Sequence, residues 1–233
     1  EVKVFGEMYK KGYIYKGLKP VYWCPKDETA LAEAEIEYQD DPCTTVYVKF
    51  PMHDDLGKLP HLDKSKLSFV IWTTTIWTLP GNLAIALHPS ESYAVVKAPN
   101  GELYIMAEAL TDKVMKIGGF DSYEILETHP GAFFENMLAD HPFLPKTSRL
   151  LLADYVTMDS GTGCVHTAPG FGADDYQTCT RYGIKMVVPV DDRGRHTEYA
   201  GKYAGMKTEE SNPVILADMK ESGALFASEE IVH

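Results

Sequence analysis

Short runs of β-branched and aromatic residues recur along most of this chain, divided by turn-forming residues. From Thr44 onward the runs at 45–50, 67–73, 83–87, 93–97 and 103–107 read as strands, because such side chains pack well on a pleated surface. Later runs at 123–128, 150–153, 163–167, 186–190 and near Leu225 read the same way. Pro99-Asn100-Gly101 predicts a hairpin turn, since Asn-Gly supplies the positive φ angles such turns use. Helical periodicity is confined to a few segments. Residues 1–11 place Val4, Phe5 and Met8 on one face, with Gly12 as a stop. Residues 107–117 end at Gly118 and Gly119, and 174–182 open with two acids and stop at Gly183. Residues 208–222 carry Thr208 as a hydroxyl N-cap and Gly223 as a stop. Residues 13–23 look like a ribbon or linker, and 30–38 are ambiguous with an extended end. Many short strands with few helices predict a mainly β fold, a closed β-barrel-like domain with a few peripheral helices. No strand–helix alternation of the doubly wound type is present.

Composition narrows the class. With 233 residues, 45% hydrophobic and 24% charged, the chain can bury a sizeable core. No apolar run approaches the ~20 residues that span a bilayer, no signal peptide is visible, and no membrane partner is expected. Cysteines whose spacings match no disulfide framework make a reducing cytosol the simplest compartment. The chain starts at Glu1 without a methionine and stops at His233, as expected of a piece of a longer protein. Cys24, Cys43, Cys164 and Cys179 match no disulfide framework. Asp27 stands where a second thiolate would complete a zinc half-site with Cys24. The net charge of −12 argues against a free-standing nucleic-acid binder. It leaves room for a domain that meets one end of a nucleic acid held mainly by other parts of a larger protein.

Two polar stretches stand out. Trp72-Thr-Thr-Thr-Ile-Trp-Thr-Leu-Pro-Gly-Asn82 gathers four hydroxyls and a carboxamide. In a continuing strand Thr73 and Thr75 would share one side and Thr74 the other. Gly161-Thr-Gly-Cys-Val-His-Thr-Ala-Pro-Gly-Phe-Gly-Ala-Asp-Asp-Tyr176 sets a histidine and two carboxylates among glycines. Taken singly, each feature has a plain explanation: β-propensity for the threonines, a turn for Asn82, a structural His166, and helix caps for Asp174 and Asp175. Together they describe a ligand rim. Two chemistries remain open on these residues: a His–carboxylate pair activating Ser160, Cys164 or a threonine, and a metal held by His166, Asp174, Asp175 and His196. Residues 191–195 read as a charged turn, or as an RNA-backbone contact through Arg193 and Arg195. His53, His61, His88, His129, His141 and His233 belong to no constellation.

The two stretches resemble the paired signatures of the editing domain of isoleucyl-tRNA synthetases, bacterial type, within the class I synthetases. Lys16-Gly-Leu-Lys-Pro-Val-Tyr-Trp23, residues 28–38 and Glu230-Ile-Val-His233 resemble the segments joining that domain to the catalytic core. The valine and leucine enzymes continue the threonine motif with Arg-Pro, whereas Trp77-Thr-Leu-Pro80 favours the isoleucine type. There are departures: Ile76 stands where proline is common, Gly81 where alanine is common, and Phe171 where many bacterial members have a second histidine. The ATP-binding signatures His-x-Gly-His and Lys-Met-Ser-Lys-Ser are absent.

The resemblance implies three parts: a connecting helix and ribbon over 1–43, the editing barrel over 44–225, and a return segment over 226–233. It implies hydrolysis of valine from the 3′ end of isoleucine tRNA, and of valyl-adenylate, without aminoacylation. It implies no cofactor, no metal and no covalent intermediate. The partners are the 3′ end of the valine-carrying tRNA and the rest of the synthetase in cis, with the chain otherwise a monomer. By the same resemblance Asp175 anchors the substrate ammonium, and Thr73, Thr74 and Thr75 position ester, ribose and water. His166 excludes isoleucine, while Trp72 and Asn82 contact the substrate, Asn82 holding the terminal nucleotide. A non-catalytic module binding the tRNA end and a metal-dependent hydrolase are the alternatives.

Overall fold

The computed structural model describes residues 1–232. Its helices are α1 (Val2–Lys10), α2 (Thr111–Ile117), α3 (Ala173–Arg181) and α4 (Thr208–Glu221). The strands are β1 (Trp23–Cys24), β2 (Thr29–Ala30), β3 (Pro42–Asp54), β4 (Leu67–Thr73), β5 (Ala84–Leu87) and β6 (Ser92–Lys97). They continue with β7 (Leu103–Ala107), β8 (Glu124–Pro130), β9 (Leu138–Asp140), β10 (Thr147–Leu152), β11 (Val165–Thr167) and β12 (Leu225–Val232).

β3 organises the sheet because it is long enough to serve several partners. One edge pairs with β4 from Val46 to Pro51. Its other edge takes β12 first and then β9. The ring β3–β9–β10–β5–β11–β4 closes on itself as a six-stranded barrel, which leaves no free edge within the ring. β7, β6 and β8 extend the sheet outward from β4. Three pairings are parallel, β5 with β10, β4 with β11 and β4 with β7. Each therefore needs a long connection rather than a tight turn. The strands bury both faces at the centre, so Leu67, Phe69, Val70 and Ile71 of β4 are all inaccessible, as are Val46 and Val48 of β3. α4 adds Ile215 and Met219 to this core.

The closed barrel with peripheral helices agrees with the pattern of the sequence. Some local expectations are corrected. Residues 186–190 form no strand, only an isolated bridge from Val190 to His196. Pro189 has no N–H to offer a ladder, which limits pairing there. β9 and the β1–β2 ribbon are too short to announce themselves by periodicity. In the 98–102 turn only Gly101 takes a positive φ, +85°, while Asn100 accepts the Glu102 N–H at 3.0 Å. Thr208 does not cap α4. Lys207 occupies that position and the Glu210 carboxylate accepts its N–H at 3.3 Å. The return segment is itself β12, and Val232 lies opposite Pro42. His233 lies outside the described residues.

The ribbon docks on the charged 191–195 turn. Trp23 Nε1 donates to the Asp192 carbonyl at 2.7 Å, and Arg193 pairs with Glu28 at 3.1 Å. Arg195 donates to the Gly205 carbonyl at 2.9 Å. Both arginines are thus engaged within the protein. α1 keeps Val4, Phe5 and Met8 on one face, and that face is exposed.

Gly163 shows how tightly the frame is built near β11. Its φ is +74°, and an added Cβ would sit 2.4 Å from the Ala107 Cβ. Gly163→Ala should cost about 3 kcal/mol from strain and overpacking together. Calorimetry should show a melting temperature lower by about 6–12 °C. An unchanged melting point would show that the backbone there relaxes freely.

Candidate functional site

β4 ends because its own last side chain diverts the backbone. Thr73 Oγ1 accepts the Thr75 N–H at 3.1 Å, a local turn that competes with the ladder. A short 3₁₀ helix of two turns then runs over Ile76–Gly81, with Thr78 Oγ1 donating to the Thr75 carbonyl at 2.8 Å. The alternation expected for the threonines is therefore not present. Thr74 and Thr75 lie beyond the strand, and their hydroxyls are 3.5 Å apart. Thr73 is braced by Thr45, whose hydroxyl donates to the Thr73 carbonyl at 2.9 Å.

β11 pairs in parallel with β4, Val165 opposite Trp72, and this brings His166 to the threonine turn. A cavity of about 250 Å³ opens between them, lined by Trp72, Thr73, Thr74, Tyr155, Thr157, Ser160, Gly161 and His166 among others. Both nitrogens of His166 are engaged. Asn82 donates to Nδ1 at 2.8 Å, which leaves the proton on Nε2 to donate to Thr78 Oγ1 at 3.1 Å. Asn82 also donates to the Ala84 carbonyl at 2.9 Å and accepts from the Ser148 hydroxyl. Asn82 is fully buried, so its amide has no group left for a ligand. Its observed role is to orient His166.

Part of the His166 ring faces the cavity, yet the protein packed around it dominates its charge state. Burial, aided by the nearby Lys146 ammonium, pulls its pKa down to about 3. Burial lowers Lys146 to about 8, and its Nζ donates to the Pro80 carbonyl at 2.6 Å. His166 is therefore a neutral ring at physiological pH.

Asp175 is the third residue of α3, beyond the 168–172 loop. Its Oδ2 accepts the Ala168 N–H at 2.8 Å, so it ties the loop to the helix rather than capping it. Burial raises its pKa to about 6, against the lowering effect of the Ala168 bond, and the Asp174 charge adds to the rise. Among the described residues no basic side chain pairs with it. It does not wall the cavity directly. The connection runs through Tyr155, a cavity residue whose phenol burial pushes up to about 12 with help from the Asp175 charge. Asp174 is exposed.

The structure thus gathers Trp72, Thr73, Thr74 and His166 around one space, with Thr75 and Asn82 behind and Asp175 one loop away. Cys164 is buried with its thiol pushed well up, so it holds no ready thiolate. Ser160 lines the cavity, but the ring nitrogens of His166 are already taken. His196 is buried elsewhere against Ser211, at 2.9 Å. Among the described residues no three His, Cys, Asp or Glu side chains are placed to hold a metal ion. Sequence reasoning missed Tyr155, Thr157, Ser148 and Lys146. Thr78 was within the motif and could have been found; Ser148 reaches Asn82 only through the parallel pairing of β10 with β5.

The chain is similar to known proteins in sequence and in fold. The family model for class I tRNA synthetases (I, L, M and V) matches residues 1–142. The isoleucine–tRNA ligase of Caldicellulosiruptor saccharolyticus is 51% identical over 235 residues, covering 100% of this chain and 25% of that protein. That of Thermoanaerobacter pseudethanolicus is 50% identical over 235 residues with the same coverage. The chain spans about a quarter of the length of the relatives it matches. The fold is shared with the solved structure GlLeuRS-CP1, at a TM-score of 0.63 and 14% identity over 80% of this chain and 99% of that one. It is shared also with the P. knowlesi cytosolic leucyl-tRNA synthetase editing domain, at 0.62 and 12% identity over 84% and 98%.

Two measurements test the electrostatics. The ring-proton NMR shifts of His166 should stay constant from pH 8 to pH 5; titration near the usual histidine value would show that the ring is not held neutral. For Asp175 the folded pKa of about 6 lies above its ordinary 3.8. Between those values the folded chain binds more protons than the unfolded one, so stability falls as pH rises from about 4 to 6 and is flat above. Asp175→Asn should stabilise by about 1–3 kcal/mol at pH 7 and by nothing near pH 4. A constant difference across that range would refute the raised pKa.

Proposed function

The chain belongs to the class I tRNA synthetases, and from that premise we propose that it is the editing domain of an isoleucine-specific member, hydrolysing valine from mischarged isoleucine tRNA. The observation that carries this reading is the cavity walled by the threonine turn and a neutral His166, with the unpaired Asp175 carboxylate one loop away. A half-buried carboxylate without a cation partner suits an incoming ammonium, and that contact is charge-assisted. The match of this whole chain to about a quarter of the isoleucine–tRNA ligases, and the fold shared with leucyl editing domains, support the same reading.

Asp175 binds the α-ammonium of the aminoacyl group. The hydroxyls of Thr73, Thr74 and Thr75 position the ester, the terminal ribose and the attacking water. Water forms the new bond to the carbonyl carbon, the ester C–O bond breaks, and the ribose oxygen takes up the proton. A neutral imidazole of such low pKa is a weak base at pH 7, so His166 serves as a wall rather than a proton acceptor. The neighbouring ribose hydroxyl assists the water. Asn82 and Thr78 hold the His166 ring in place. The wall matters because one methylene changes affinity in an apolar pocket by only about 1–3 kcal/mol, a limit for which isoleucine enzymes are the standard illustration. A second site that excludes the larger side chain uses size in the opposite sense.

The three-part division fits this role. Residues 1–43 lead in, the barrel follows, and β12 returns beside β3 with Val232 opposite Pro42. The partners are the valine-carrying tRNA end and the remainder of the synthetase in cis, in the cytoplasm, with valyl-adenylate as a second substrate. No metal or cofactor takes part.

Valyl- and isoleucyl-tRNA, incubated with the chain in the presence and absence of chelator, should show faster, chelator-insensitive release of valine. Release from neither would favour a binding module, and loss with chelator a metal-dependent hydrolase. Asp175→Ala should lower kcat/KM for the valyl ester by about 10–100-fold, as losing a charge-assisted contact of about 1.5–3 kcal/mol implies. His166→Ala should admit isoleucyl-tRNA, reducing discrimination by about 10–100-fold. The parent kcat/KM should fall below pH 6 as Asp175 protonates, and this limb should persist in His166→Ala. Its disappearance in that variant would assign the titration, and the base role, to His166.

A further inference from the structure

Gly81 and Phe171 are distant in sequence and meet in the fold. A Cβ added to Gly81 would lie 2.7 Å from Phe171 Cε2 and 3.2 Å from Pro189 Cγ. The backbone of Gly81 is not in the left-handed region, so glycine is required there for space and not for conformation. The edge of Phe171 meets the Trp77 ring with centroids 5.0 Å apart and planes at 78°.

These residues join the two halves of the site. Trp77 and Gly81 belong to the helical turn between Thr75 and Asn82. Phe171 sits in the loop between His166 and Asp175. Its N–H donates to the Ala168 carbonyl at 2.9 Å, and the Ala168 N–H holds the Asp175 carboxylate at 2.8 Å. A displacement of the half-buried Phe171 ring that carried its backbone with it would move the loop holding the Asp175 carboxylate relative to the threonines.

We propose that Gly81 and Phe171 are a matched steric pair that sets the spacing between the threonine turn and Asp175, and so act as positioning residues for the substrate's amino-acid moiety. This rests on the deacylase reading above. A methyl group at 81 is tolerated only with a smaller ring at 171, so the two identities are interdependent.

The test is a double-mutant cycle on the chain: parent, Gly81→Ala, Phe171→His and the double variant. Each is assayed for hydrolysis of valyl- and isoleucyl-tRNA and for thermal unfolding. Gly81→Ala should raise KM for the valyl ester about tenfold or more with a smaller change in kcat, since it displaces the anchor. The double variant should recover to within about threefold of the parent, a coupling that independent sites would not show. A silent Gly81→Ala, or losses that multiply in the double variant, would overturn the pairing. Coupling in melting temperature with no change in KM would reduce the pair to packing and overturn the positioning role. If the parent hydrolyses neither ester, the deacylase reading fails, and with it the positioning role. The steric pair is still decided by whether the melting temperatures are coupled.

Discussion

A hydrogen-bond chain running from Ser148 through Asn82 and His166 to Thr78 and the Thr75 carbonyl is the joint on which this site depends. It links β10, the segment entering β5, β11 and the threonine turn. Each donor in it meets an acceptor, which is the condition under which a buried polar network rigidifies a structure rather than weakening it. Breaking any link leaves a buried polar group unpaired. The network also selects the His166 tautomer, because the Asn82 amide NH2 faces Nδ1 and Thr78, already donating to the Thr75 carbonyl, accepts from Nε2. The barrel makes this possible by setting β11 parallel to β4 and β5 parallel to β10.

The site divides its electrostatics between two groups that burial drives in opposite chemical senses. Burial disfavours the charged form of each. For His166 that means a neutral ring, stable as a steric wall. For Asp175 it means a carboxylate held at a cost, with a pKa near 6 and no resident cation. A protein built for stability alone would leave that position neutral. Keeping it charged makes sense where a cationic ligand relieves the cost on binding, and the α-ammonium of an aminoacyl ester is such a ligand.

The frame and the loops around the cavity are built to different standards. The strands around the cavity are dry and densely packed, with Ile71, Ile85, Leu87 and Ile105 wholly inaccessible. The loops near the cavity use glycines where side chains would collide. Gly161 lies under the Trp72 ring, and Gly81 under Phe171. The two signatures therefore fit each other by omission of atoms as much as by contact. The −12 charge fits the proposed function, under which the domain would grip one amino acid and one terminal nucleotide and would not need the basic surface that holds the rest of a nucleic acid.

Much of this was legible in the residues. β-branched runs between turn residues marked most barrel strands, because half of what a strand needs is local. The clustering of hydroxyls around Thr73–Thr75 and of His166 with Asp175 pointed to the region where the structure opens a cavity lined by Thr73, Thr74 and His166. Other features were decided only by the tertiary structure. Thr74 and Thr75 left the strand because the Thr73 hydroxyl captured a backbone N–H, a choice that periodicity does not record. Asn82 turned from ligand contact to clamp because Ser148 and His166 arrive from remote strands to use its amide. The pKa values of His166 and Asp175 exist only once packing removes water from them. The contact of Gly81 with Phe171 likewise depends on the closing of the ring, for local sequence carries propensity and pattern but not the distance between segments that meet across a barrel.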